Sequence, residues 1–135
     1  MPKREYEIDG NRFDDLQGFY DEISERLIPG AAWGRNLDAF NDILRGGFGT
    51  PDDGFVLAWK NSAESKKRLG YAETVKQLEI RLKRCHPANR ESVAVELARA
   101  KRNEGPTVFD WVVEIIEIHC SGGEEEEDGV ELRLA

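Results

Sequence analysis

Asp38 and Asp42 are the two residues whose type and spacing most invite chemistry. They lie four apart in Asn36-Leu37-Asp38-Ala39-Phe40-Asn41-Asp42-Ile43-Leu44-Arg45, so on a helix they share one face. Like charges at that spacing cost a helix roughly a few tenths of a kcal/mol. Asp38 regains something from the helix N-terminus, whereas Asp42 lies beyond the first turn. A pair held this way has three readings. It is a solvated polar face, a set of acceptors for Arg and Lys of a partner, or an acid/base pair of the kind that hydrolyses glycosides.

Other constellations carry less. Cys85-His86 and His119-Cys120 offer four soft ligands, but the x2–4 spacing of a zinc site is absent and neighbouring residues on a helix diverge. They read as inert thiols and partly exposed histidines, with no metal and no cofactor. Gly46-Gly47-Phe48-Gly49 follows a helix rather than a strand, so it reads as a helix stop and not a phosphate cradle. No nucleophile motif accompanies the aspartates, which argues against an enzyme. Arg81, Lys83, Arg84 and Arg90 form a basic cluster, read as a solvated face rather than a nucleic-acid site. The run Glu124 to Asp128 reads as a solvated acidic loop over 121–128, since like charges repel and nothing apolar is there to bury. Trp59 and Trp111 lie on apolar faces and belong to the core. Trp33, ahead of Gly34, is the tryptophan expected to be exposed.

The elements that must position these residues follow from periodicity. Tyr6 to Gly10 reads as a short strand ending in a turn. Phe13, Leu16, Tyr20, Ile23 and Leu27 recur at helical spacing, and Pro29-Gly30 stops them. Asn36 caps the aspartate helix, whose apolar face is Leu37, Phe40 and Leu44. Phe55 to Trp59 is a continuous apolar run, the pattern of a parallel strand buried on both faces. Asn61 or Ser62 caps a short helix ending at Gly70. Val75, Leu78 and Leu82 mark another, and Val93, Leu97 and Ala100 a third. The segment Thr107 to His119 is rich in Val and Ile, but Asp110, Glu114 and Glu117 fall on one helical face, and Thr107 with Asp110 resembles a capping pair. It is assigned as a helix. Val130 to Leu134 alternates as a final strand. The order predicts an α/β domain with a small, mostly parallel sheet.

Composition bounds the rest. The 135 residues fit one domain. Charged residues make up 34% and hydrophobic ones 39%, as in a globular protein. No apolar run approaches the roughly 18 residues of a membrane span, no apolar stretch of a signal peptide follows Lys3-Arg4, and two cysteines make no disulfide framework, so a cytoplasmic protein is expected. The net charge is −8, divided as −5 over residues 1–60, +4 over 61–110 and −7 over 111–135. Such a protein repels nucleic acid and membrane surfaces and attracts basic partners.

Trp33-Gly34-Arg35-Asn36-Leu37-Asp38-Ala39-Phe40-Asn41-Asp42 resembles the helix-entry motif of the barstar family, intracellular protein inhibitors of barnase-type ribonucleases. Leu57-Ala58-Trp59-Lys60 with Ser65-Lys66 resembles that family's Leu-Glu-Trp-Arg strand and Ser-Lys helix, and Ile8-Asp9-Gly10 its Ile-Asn-Gly. The resemblance implies a three-stranded parallel sheet packed with helices, with a core over 6–70 and 107–134 and a helical insertion over about 71–105. It also implies that the chain inhibits a basic, secreted ribonuclease or related nuclease. The implied contacts are Asp42 at the centre, Asp38 second and Glu117 at the periphery, with Trp33, Gly34, Asn36, Asn41, Gly46 and Phe48 around them. Matching hydrophobic positions instead leaves Glu114 as the last-helix acid. Ala32 and Asn41 stand where the family has aromatics, which points to a target other than barnase. A barstar-fold adaptor that binds a basic protein without inhibiting it, and a small hydrolase using Asp38 and Asp42, remain as alternatives.

Overall fold

The computed structural model describes residues 3–135. Three strands, β1 (Arg4–Asp9), β2 (Phe55–Lys60) and β3 (Glu131–Leu134), form one parallel sheet in the order β1-β2-β3. Between β1 and β2 run α1 (Leu16–Leu27) and α2 (Leu37–Leu44). Between β2 and β3 run α3 (Ser62–Arg68), α4 (Tyr71–Arg84), α5 (Arg90–Lys101) and α6 (Val108–Ile118). No helix among the described residues is long and apolar enough to cross a membrane.

The register puts Tyr6 beside Leu57 and Leu132, and Ile8 beside Trp59 and Leu134, on one face of the sheet. Helices cover that face. Phe19 and Ile23 of α1, Phe40 and Ile43 of α2, and Val112 and Ile116 of α6 are fully buried against it. Trp59 is the centre: its ring stacks on Phe19 at 5.5 Å and meets Phe109 at 5.2 Å. Its indole N–H donates to the buried Ser65 Oγ at 3.0 Å. That bond explains the Trp59–Ser65 spacing, and it reaches Gly10, where a Cβ would lie 2.3 Å from the same oxygen.

On the other face of the sheet β2 is covered too, as its apolar run predicts. The rows there are Glu5, Val56 and Glu131, then Glu7, Ala58 and Arg133. Arg133 reaches Glu5 at 2.9 Å, so its side chain arches over the central strand and covers Val56 in place of a helix. The apolar run marks a central strand, but ion pairs form its second cover.

Caps set the helix ends. Asp15 accepts from Gly18 N–H and starts α1 later than Phe13, which is buried just ahead of it. Thr107 and Asp110 form a reciprocal capping box on α6, as their spacing predicts. Asn61 does not cap α3 with its side chain; it donates instead to Asp9 Oδ1 at 2.8 Å. α4 and α5 form a hairpin with a small cluster of their own, Leu78, Val93, Leu97 and Ala100. The base of the hairpin is tied down: Leu16 N–H donates to the buried Glu73 carboxylate at 2.8 Å, and Val108 N–H to Thr74 Oγ1 at 2.9 Å.

Candidate functional site

α2 is short and fixed from three sides. At its start, Asn36 Oδ1 accepts from Ala39 N–H at 2.8 Å, the cap its sequence predicts. Phe40, Ile43 and Leu44 hold its inner face in the core. At its end, Thr50 Oγ1 donates to Ile43 O at 2.8 Å, and Gly46 takes a φ of +94°, a left-handed conformation that favours glycine. Asp38 and Asp42 are therefore presented outward on a rigid support, both exposed.

Their surroundings differ. Asp38 borders a cleft of about 350 Å³ between α2 and α4, floored by Tyr20 and Trp111 and closed on the far side by Gln77, Ile80 and Arg81. The Arg81 guanidinium sits 4.9 Å over the Trp111 ring. Burial pushes the Tyr20 hydroxyl up to about 12, so it remains a neutral phenol. Asp42 does not border that cleft. Asp42 instead accepts from Arg45 Nη1 at 2.9 Å.

Arg45 brings in a carboxylate that the sequence pattern does not single out. Its Nε and Nη2 donate to the two oxygens of Glu125 at 3.1 and 2.9 Å, a bidentate pair. The bonded guanidinium holds the Glu125 carboxyl below its ordinary range, and Glu125 in turn raises Arg45. His119 closes the arrangement. It is fully buried, with its Nδ1 in hydrogen-bond contact with Asp128 Oδ2 at 2.6 Å and its Nε2 with Asn41 Oδ1 at 2.5 Å. Glu125 N–H also donates to Ile118 O at 2.9 Å. The acidic loop is thus latched onto α2 rather than solvated along its length. Glu124, Glu126 and Glu127 remain outward, while Glu125 and Asp128 turn inward to a cation and a histidine. Asn41 spends its side chain inside the protein, holding His119.

The remaining residues singled out in the sequence fall as follows. Gly34 is exposed and Phe48 is half-buried against the core. Trp33 is less exposed than expected: it packs on the core, edge-on to Tyr20 at 5.6 Å, and its indole N–H is buried with no acceptor among the described residues. Between Trp33 and Asn36, Arg35 adopts φ +48° and pairs with Asp21. Glu117 lines a groove beside β3 with Val113 and Cys120. On the α6 wheel it stands about a third of a turn from Trp111, the residue of that helix bordering the Asp38 cleft. Glu125 is an acid held beside Asp42, through Arg45.

His119, Glu125 and Asp128 also have ligand atoms within 4.8 Å of one another. Each is already engaged, His119 with Asp128 and Glu125 with Arg45, so hydrogen bonding accounts for the cluster without a metal.

The site is thus a small parallel α/β domain that presents two exposed carboxylates on a buttressed helix. The sequence model of the Barstar family, described as barnase inhibitor, matches residues 4–98. The chain belongs to the barstar family. The matched span runs from β1 through α4 and into α5, and stops short of α6 and β3. No curated protein sequence matches the chain.

Proposed function

We propose that the protein inhibits a ribonuclease or a related nuclease toxin by laying the outer face of α2 across the enzyme's basic active site. The observation that carries this reading is the pair Asp38 and Asp42, exposed on a capped helix, with Glu125 fixed beside Asp42 through Arg45. A nuclease site is basic because it holds phosphates. Carboxylates set one helical turn apart match that site with acceptors for its Arg and Lys. The net charge of −8 adds attraction at a distance, so association is expected to slow as salt rises. Membership of a family of nuclease inhibitors supports the reading, and it implies a non-enzymatic protein acting in the cytoplasm against a nuclease made for export.

The target on this reading is not barnase. Where the family has an aromatic at position 41, this chain has Asn41, and that side chain is committed to His119. Aromatic anchors carry much interface energy, so their replacement by an internal latch changes what the surface fits. The α2–α4 cleft adds a wall carrying Ile80 and Arg81 at the Asp38 end of the surface, which supports a role for the α4–α5 hairpin in choosing the target.

The test is RNA cleavage by a panel of bacterial ribonucleases and nuclease toxins, titrated with the protein and with an Asp38→Ala/Asp42→Ala variant. Stoichiometric inhibition that the double variant loses is the expected result. Inhibition retained by the variant would sink the α2 face as the site. Binding without inhibition would move the protein to the adaptor reading.

A further inference from the structure

Away from α2, a groove of about 1110 Å³ runs between α6 and the outer edge of β3. Its apolar lining is Val113 of α6, Cys120 just past that helix, Val130 just ahead of β3, and Leu132 and Leu134 on β3. Leu134 is 48% exposed, unusual for a large hydrophobic side chain in this protein. β3 ends the sheet, so one wall of the groove is a strand edge. Ala135 N–H donates to Trp59 O, which faces odd-numbered residues toward β2 and turns even-numbered ones outward. The first outward group is used: Val130 N–H donates to His119 O at 3.0 Å. Cys120 and Val130 make an isolated parallel bridge, a single rung of a fourth-strand position that the chain does not continue. Beyond that rung, Leu134 N–H and the carbonyls of Leu132 and Leu134 have no partner among the described residues.

We propose that this groove is a second docking surface, which takes a basic, extended segment of another protein as a fourth strand beside β3. The charges choose the occupant. Glu117, Glu126, Glu127 and Glu131 border the groove against one cation, Lys3, whose Nζ is already committed to Gly129 O at 2.6 Å. A second copy of this chain adding its own β3 would set these carboxylates against one another, which is unfavourable. A strand alternating apolar and basic residues satisfies both demands. Its apolar side chains meet Val113, Leu132 and Leu134, its cations meet the glutamates, and its backbone meets the free edge. The surface uses neither Asp38 nor Asp42, and it stands or falls apart from the nuclease reading.

The experiment is a titration of the isotope-labelled full chain with a synthetic peptide alternating lysine and valine, followed by amide chemical shifts. A glutamate–valine peptide and sedimentation of the free protein are run beside it. Shifts confined to Val113, Cys120 and residues 130–134 are expected. Glu126→Lys/Glu127→Lys is expected to weaken binding about tenfold. Leu134→Pro, which removes the outward N–H where an edge strand tolerates proline, is expected to weaken it as well. Asp38→Ala/Asp42→Ala leaves it unchanged. No shifts at millimolar peptide, shifts centred on α2, equal binding of the glutamate–valine peptide, or dimerisation of the free protein through β3 would each overturn the proposal.

Discussion

The two turns of α2 carry the same residue type on the same face, yet they are built differently. The first turn is local: Asn36 caps it, Asp38 complements the helix N-terminus, and every group needed lies within a few residues. The second turn is assembled from the far end of the chain. Asp42 meets Arg45, Arg45 meets Glu125, and Asn41 meets His119, across separations of 80 and 78 residues for the last two contacts. The difference teaches that equal spacing does not make equal sites. A carboxylate held beside a cation that a third group grips has its position fixed before any partner arrives, and less ordering entropy is then lost on binding.

The sharpest way to break this comparison is through the partner. Asp42→Ala is expected to weaken inhibition about a hundredfold, more than any substitution at Trp33, Asn36 or Phe48, measured by inhibition titration. Asp38→Ala is expected to cost about tenfold in the same assay; equal losses at both positions would erase the distinction. His119→Ala strands the Asn41 amide and the Asp128 carboxylate, and it should lower stability by about 1–3 kcal/mol in denaturant unfolding. Asn36→Ala removes only a cap and should cost about 1 kcal/mol. The smallest effect is expected from pH. Glu125 is held below its ordinary 4.5 in the folded protein, so its contribution is present above that value and lost as pH falls through the lowered one. Glu125→Gln should flatten this part of the acid unfolding profile by lowering neutral stability slightly and leaving acid stability nearly unchanged, a small effect because the ion pair lies at the surface.

The first turn of α2 was legible in the sequence and the second was not, for the same reason. Asn36, the 3–4 spacing of Leu37, Phe40 and Leu44, and the Thr107–Asp110 box are local signals, and the structure has the elements they predict. Trp59 and Ser65 are legible as a family spacing, and their hydrogen bond gives that spacing its physical cause. The latch has no such signal. Five successive acids differ in nothing that marks Glu125 and Asp128 as the two that turn inward, and nothing near His119 points to Asn41. The second cover of β2 was hidden in the same way, since an apolar run does not say whether helices or an Arg133–Glu5 arch lies above it. Trp33 combined a loop position with an apolar ring, and packing on Tyr20 decided for the ring.

The latch between His119, Asp128 and Asn41 bears on how the surface can be copied. An eight-residue helix is too short to hold together alone in water, and a peptide cut around α2 would also leave Glu125 behind. Small mimics of this surface will therefore have to import a scaffold, joining two stretches of chain that lie some eighty residues apart in sequence.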